Sequence, residues 1–270
     1  MTGRKSVARL TSGRTKVVPA KLQKDTANID AAGTSHREIN VKLREAVAAG
    51  ATQIELSNVC GQRYIGTDLN KAVEIEIHGT PGNDLGAFMD GPMITVLGNA
   101  QDGCGNTMNS GRIVVHGHAG DTLGMSARGG SIFVKEYIGY RAGIHMKEYQ
   151  DKKPVIVVGG TAQDFLGEYM AGGILVLLGL DLKKGENYRA KYVGTGMHGG
   201  VIYLRGDIDP YQVGKEVGIA DLDDKDVSTL GKLVTEFAGY FNYDTDKIMD
   251  SKFVKLYPKY LRPYGRLYAY

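Results

Sequence analysis

Tryptophan is absent from this 270-residue chain, and cysteine occurs only twice, at Cys60 and Cys104. Two thiols without a C-x-x-C spacing exclude a zinc ribbon, a thioredoxin-like pair and a disulfide-built scaffold. Such usage suits a reducing compartment, so a cytoplasmic location is expected. Long apolar runs are missing too: nothing approaches the ~18 residues that a membrane helix requires, and no signal peptide is expected. Charge of one sign is scarce as an excess. A net charge of +3 is too small to argue for nucleic acid or an anionic membrane as the main partner. Proline is sparse at 7 residues, and glycine interrupts the central region too often for a long helix.

Glycine is what the chain has in excess, with 38 residues. Many fall on a beat that repeats eight times between about residues 52 and 206. Each unit opens with a short apolar run closed by a small or polar residue. Ile54-Glu-Leu-Ser-Asn58, Ile113-Val-Val-His-Gly117 and Leu175-Val-Leu-Leu-Gly179 are three of them. The closing positions Asn58, Gly79, Gly98, Gly117, Glu136, Gly159, Gly179 and Gly206 are 21, 19, 19, 19, 23, 20 and 27 residues apart. A second column keeps time with them: Gly66, Gly86, Gly105, Gly124, Gly143, Gly167 and Gly194. Three residues later stand Leu69, Met89, Met108, Ala127, Met146, Met170 and Met197.

A fixed period near twenty residues marks a repeat architecture. The apolar residues alternate within each unit, which is strand periodicity. The leucine-rich repeat has a similar period, but its asparagine column is missing here. The pattern therefore predicts an all-β fold, a right-handed single-stranded β-helix (solenoid) of about seven to eight coils. Stacked coils lie ~4.8 Å apart, so the methionine column should form an internal stack. The glycine column should mark corners, where positive φ or close backbone approach is needed. Cys104 stands on the apolar column with Leu85 and Leu123 and should be buried.

Residues 1–35 are expected as a basic N-terminal arm. Arg4, Lys5, Arg9, Arg14, Lys16, Lys21 and Lys24 occur in its first 24 residues without one acid. Such an arm is either solvated or a strap that orders on a partner or second copy. Residues 36–206 should hold a capping helix and the β-helix. Ser35-His-Arg-Glu38 has the form of a capping box, Ile39, Leu43, Ala46 and Val47 share a helical face, and Gly50 supplies a stop. A cap is required because the first coil would otherwise expose its apolar end. Residues 207–270 should form C-terminal helices and a tyrosine-rich tail. Leu230, Leu233, Val234 and Phe237 mark one helical face; Ile248, Met249, Phe253 and Leu256 mark another. Tyr257, Tyr260, Tyr264, Tyr268 and Tyr270, with Pro258 and Pro263, read as an extended segment that packs on the coils or clasps a neighbour. Two insertions, Lys147–Lys153 and the stretch between Gly179 and Gly194, should form surface loops.

Catalytic motifs fail one by one. Gly194-Thr-Gly-Met-His-Gly199 matches G-x-G-x-x-G, but a strand follows it where a dinucleotide site requires a helix. Gly124-Met-Ser-Ala-Arg128 lacks the last glycine of a nucleophile elbow. His116 and His118 flank Gly117, and His78 is read as holding the place of His116 one coil earlier; a polar outward ladder accounts for them without a metal. His145 and His198 adjoin the methionine column and should point outward. No catalytic, cofactor-binding or metal-binding residue is assigned. The glycine column and Met89, Met108, Met146, Met170 and Met197 are structural.

The units Gln163-Asp-Phe-Leu-Gly-Glu-Tyr-Met-Ala-Gly-Gly-Ile-Leu-Val-Leu-Leu-Gly179 and Gly194-Thr-Gly-Met-His-Gly-Gly-Val-Ile-Tyr-Leu204 resemble the C-terminal β-helix of the glutamate synthase large subunit, known for a G-x-G-x-G motif. The resemblance extends over roughly residues 36–265 and includes both flanks. It implies a scaffold that carries neither active site. In that family an amidotransferase domain releases ammonia from glutamine, and a barrel with FMN and an iron–sulfur cluster adds it reductively to 2-oxoglutarate. This chain begins Met-Thr, without the family's catalytic cysteine, and has no cluster cysteines. The implied role is one subunit of a split enzyme, with a glutamine amidotransferase subunit and an FMN-binding synthase subunit as partners. FMN and the cluster are expected on the partner and no cofactor on this chain. The β-helix subunit of formylmethanofuran dehydrogenase and the N-methylglutamate synthase design are the alternatives.

Overall fold

A computed structural model describes residues 26–260 of the chain. The basic stretch of residues 1–24 and the tyrosines from Tyr264 onward lie outside the described residues. Nine parallel strands stack in chain order: β1 (Thr26–Asp30), β2 (Gln53–Cys60), β3 (Glu74–Thr80), β4 (Asp90–Val96), β5 (Ser110–Val115), β6 (Ser131–Val134), β7 (Val155–Val158), β8 (Ala171–Leu177) and β9 (Gly199–Arg205). Each coil thus adds one strand to a single wall, and the fold is the expected β-helix. Six backbone bonds join the seven glycine corners, so the solenoid completes about six full turns. Counting strand runs gave seven to eight because runs mark the edges of turns.

The register is strict. Ile54, Ile75, Ile94, Ile113, Ile132, Ile156, Leu175 and Ile202 are mutual partners along one inward column. All are buried, as are Met89, Met108, Met146, Met170 and Met197. Side chains of period two point alternately in and out, so the inward isoleucines and the methionines meet inside the coil as one core.

The glycine corners rest on two requirements at once. Gly124 and Gly143 have φ of +64° and +70°, which L-residues adopt only under strain. They also face inward: a Cβ on Gly124 would sit 2.5 Å from Cδ1 of Ile156, and one on Gly143 2.9 Å from Cδ1 of Leu175. The corners also hold what glycine does not reveal. Residues two before and two after the glycine share its left-handed φ, for example Arg141 at 58° and His145 at 55°. The N–H of Gly143 points back to Leu123 O at 2.8 Å, while those of Arg141 and His145 point forward to Asp164 O and Glu168 O at 3.0 Å. The corner is thus hydrogen-bonded to the coils on both sides, as a strand would be.

The first coil is closed by α1 (His36–Ala48). Ser35 Oγ accepts from Glu38 N at 3.2 Å and Glu38 Oε2 accepts from Ser35 N at 2.8 Å, completing the capping box. Ile39 and Leu43 are buried against the coil. β1 precedes this helix and pairs with β2, so Thr26–Asp30, within the range read as arm, is a strand of the wall. Its apolar content is too small for sequence periodicity to reveal it.

At the other end the parallel ladder stops. After a short β10 (Val217–Ala220), α2 (Asp224–Phe241) and α3 (Thr245–Met249) lead to β11 (Phe253–Pro258). β11 runs antiparallel between β9 and β10. Phe253 and Leu256, expected on a helical face with Ile248 and Met249, belong to this strand. Val254 and Leu256 join the inner core while Phe253 joins the outer one, an alternation that four apolar residues at mixed spacing did not disclose. α2 lies across the outer face of the wall. Its Leu230, Val234 and Phe237 are buried against Val114, Phe133, Val157 and Val176, so these strands are covered on both faces. Asp226 at the start of α2 is buried and accepts from Tyr203 Oη at 2.7 Å and from Lys255 Nζ. Burial pushes its carboxyl pKa up, but the bonds from Lys255, Tyr203 and the Asp223 backbone outweigh that and hold it below the ordinary value.

Candidate functional site

The histidines do not converge. Nε2 of His78 lies 2.9 Å from Glu76 and 3.3 Å from Glu55. His116 packs edge-on against Phe241, with centroids 5.2 Å apart. Burial lowers its pKa, with Lys135 adding to the effect and Glu76 opposing it. Leu97 separates His78 from His116 in the ladder, so the two lie two coils apart and not one as expected. His118 stacks on Tyr137 at 4.7 Å, and His145, exposed as expected, stacks on Tyr169 at 5.4 Å. Among the described residues no group of three His, Cys, Asp or Glu side chains could hold a metal. Cys104 is buried, which pushes its thiol up to about 12; Cys60 is exposed. Gly194 and Gly196 belong to a corner, and Gly199 opens the strand after it.

The outer surface is differentiated in three places. The first is the corner face. Its left-handed residues project outward, and in the later coils they are aromatic: Phe165 stacks on Tyr192 at 4.9 Å, beside the His145–Tyr169 pair. The Arg141 guanidinium lies 4.5 Å from the Phe165 ring centroid and is ion-paired with the buried Glu168. A cation held by a ring and a carboxylate is stiff. Tyr137, Tyr140, Tyr169 and Tyr192 are all more than a third exposed, and exposed tyrosine is favoured at protein interfaces.

The second place is the part of the wall that α2 leaves bare. Outward residues there are Glu55, Glu76 and Thr95, followed along the same ladder by Val114 and Phe133 under the helix. The change from carboxylate to hydrocarbon marks where cover begins. The third place lies at the C-terminal end, where the second insertion packs down. Tyr188 is buried, and its hydroxyl donates to Arg205 O at 2.8 Å. Gln212 Nε2 then donates to Tyr188 O and Ala190 O. The loop is therefore anchored, and beside it opens a cleft of about 820 Å³ between Tyr192, Tyr211 and Tyr257.

Sequence periodicity located the glycine and methionine columns but missed the aromatic ladder and the Arg141–Glu168 pair. A signal existed for the first: Phe165, Tyr169 and Tyr192 stand two residues from a column glycine. Nothing in the spacing of Arg141 and Glu168 announces their pairing.

A β-helix with glycine corners, closed at its first coil by α1 and covered on part of its outer face by α2, defines a solenoid of the non-leucine-rich kind. Residues 21–262 match the family described as GXGXG motif, and the chain belongs to that family, the domain found in the C-terminal region of the glutamate synthase large subunit. An uncharacterized protein of Methanocaldococcus jannaschii is 51% identical over 249 residues, covering 89% of this chain and 95% of that protein. No helix among the described residues is long and apolar enough to cross a membrane.

Proposed function

We propose that this chain is the non-catalytic β-helix scaffold subunit of a split glutamate-synthase-type complex. It joins a glutamine amidotransferase subunit to an FMN-binding synthase subunit that adds ammonia reductively to 2-oxoglutarate. The observation that carries this reading is the family match, which spans the coils and both flanks. The exposed tyrosines of the corner face support it, because a stiff aromatic surface suits a long-lived protein contact. FMN and the iron–sulfur cluster belong to the synthase partner in this reading, and the work takes place in the cytoplasm.

The test is a native pull-down of the tagged full chain from its source cells, followed by mass spectrometry. Recovery of an amidotransferase and an FMN protein in fixed ratio is expected. Recovery of molybdenum or tungsten subunits instead would replace this assembly with a formylmethanofuran-type one. A flavin spectrum or glutamine hydrolysis from the isolated chain would overturn the scaffold role.

A further inference from the structure

A second cleft, under the insertion that follows Gly179, is built around a cation without a counter-charge, whatever the chain assembles with. Three segments meet there: Lys183 and Lys184 come from the insertion, Arg205 ends β9, and Lys252 precedes β11. Gly206 N donates to Lys252 O at 2.7 Å, which ties the last two segments together. Arg205 is half-buried and held at several points. Its Nε donates to Ser251 Oγ at 3.0 Å, and its Nη1 donates to Leu178 O at 2.9 Å and to Gly179 O at 3.3 Å. All three partners are neutral, so they satisfy donors and leave the charge uncompensated. Nη2 meets no acceptor among the described residues.

The carboxylates of the cleft are already engaged. Asp207 pairs with Lys252, and Glu186 accepts from Lys183 N at 3.2 Å and from Arg189 Nη2 at 2.8 Å. The side chains of Lys183, Lys184 and Arg205 form no ion pair among the described residues, and the rest of the lining is uncharged. Partial burial makes an uncompensated charge costly, and a bound anion removes that cost. A guanidinium already fixed by its neighbours, with two mobile ammonium groups beside it, suits an oxyanion with several oxygens. Three unpaired cations match a dianion better than a single carboxylate. The cleft measures about 230 Å³, below the ~300–1,000 Å³ of a drug-sized pocket, so its occupant is small. We propose that this cleft binds the phosphoryl group of a small molecule, with Arg205 Nη2 donating to one oxygen and Lys183 and Lys184 neutralising the others. The bound group then joins the insertion to the end of β9.

The full chain is titrated calorimetrically with inorganic phosphate, phenyl phosphate and succinate at one pH and one ionic strength, because salt screens exposed charges. One saturable site is expected for a phosphoryl probe, with succinate weaker by roughly tenfold or more. Lys183→Gln combined with Lys184→Gln, both at exposed positions that the fold tolerates, should weaken phosphoryl binding by roughly tenfold or more. Arg205→Lys keeps the charge but loses the planar fork, and should weaken it as well. Circular dichroism checks that this variant folds, and the lysine pair decides the matter if it does not. Lys225→Gln combined with Lys232→Gln, on exposed positions of α2, makes the same change in net charge and should bind as the unaltered chain does. Phenyl phosphate bound at least as tightly as inorganic phosphate assigns the site to a phosphomonoester, and the reverse order assigns it to free phosphate. Absence of saturation, succinate bound equally well, or a lysine-pair variant no weaker than the α2 control would overturn the proposal.

Discussion

Replacing Gly124 with alanine tests the corner at its tightest point. Two separable penalties are expected. The backbone at φ +64° is left-handed, which costs an L-residue roughly 1–2 kcal/mol. The new Cβ would stand 2.5 Å from Cδ1 of Ile156, and overpacking of this kind costs typically about 1–3 kcal/mol. The single variant should therefore lose about 2–5 kcal/mol by these two principles together. Ile156→Val deletes the offending methyl and alone should cost about 0.5–1.5 kcal/mol. In the double variant the steric part vanishes and only the backbone part remains, so the two changes should couple favourably by roughly 1–3 kcal/mol. Urea unfolding followed by far-ultraviolet circular dichroism and tyrosine fluorescence would measure this, with coincident transitions as the check on two-state behaviour in a solenoid. Strict additivity would show that the glycine is needed only for its φ, and a loss under about 0.5 kcal/mol for Gly124→Ala would refute the corner argument entirely.

Met146→Asp places a carboxylate in the fully buried methionine stack and should cost several kcal/mol, read as a large fall in the urea midpoint. Asp226 has a folded pKa below its unfolded value, so its contribution is present above the ordinary carboxylate range and disappears as pH falls through the folded pKa. Asp226→Asn should flatten that acid limb and cost roughly 3 kcal/mol at neutral pH, because Lys255 and Tyr203 lose a charged partner; an unchanged pH profile of stability would remove the assignment. Cys104, raised to about 12 and buried, should resist a thiol reagent at pH 8 while exposed Cys60 reacts, giving one modified thiol in the native chain and two in denaturant. Two rapid reactions in the native chain would contradict the inner column.

The repeat was legible because its two strongest signals are steric. An inward isoleucine and a glycine that must make room for it recur at fixed places, as with Gly86 and Ile113 or Gly167 and Ile202. The cap before α1 was legible for the same local reason, since Ser35 and Glu38 satisfy each other within four residues. β11 was not, because what makes Phe253–Pro258 a strand is the open edge of β9, and that edge exists only after the coils have stacked. The aromatic corner face escaped because the sequence gives positive φ to glycine by default. Phe165 and Tyr169 adopt it with side chains attached, their amides bonded to Lys191 O in the insertion and to Thr195 O in the next coil. Arg141 and Glu168 stand 27 residues apart, on different coils, and only the stacking brings them together.

The fit of each corner glycine has a consequence in time. Gly66 is filled by Ile94, Gly105 by Ile132, Gly143 by Leu175, and the last, Gly194, by Val217. In each case the filling side chain comes later in the chain than the corner it completes. A growing polypeptide emerging from the ribosome would therefore always carry one unfinished corner, closed only when a later stretch has been made. Elongation and folding are then in step, each coil waiting on its successor. The final corner waits on β10, which among the described residues joins the wall through β11, so the last of the described strands is the one that locks the whole column.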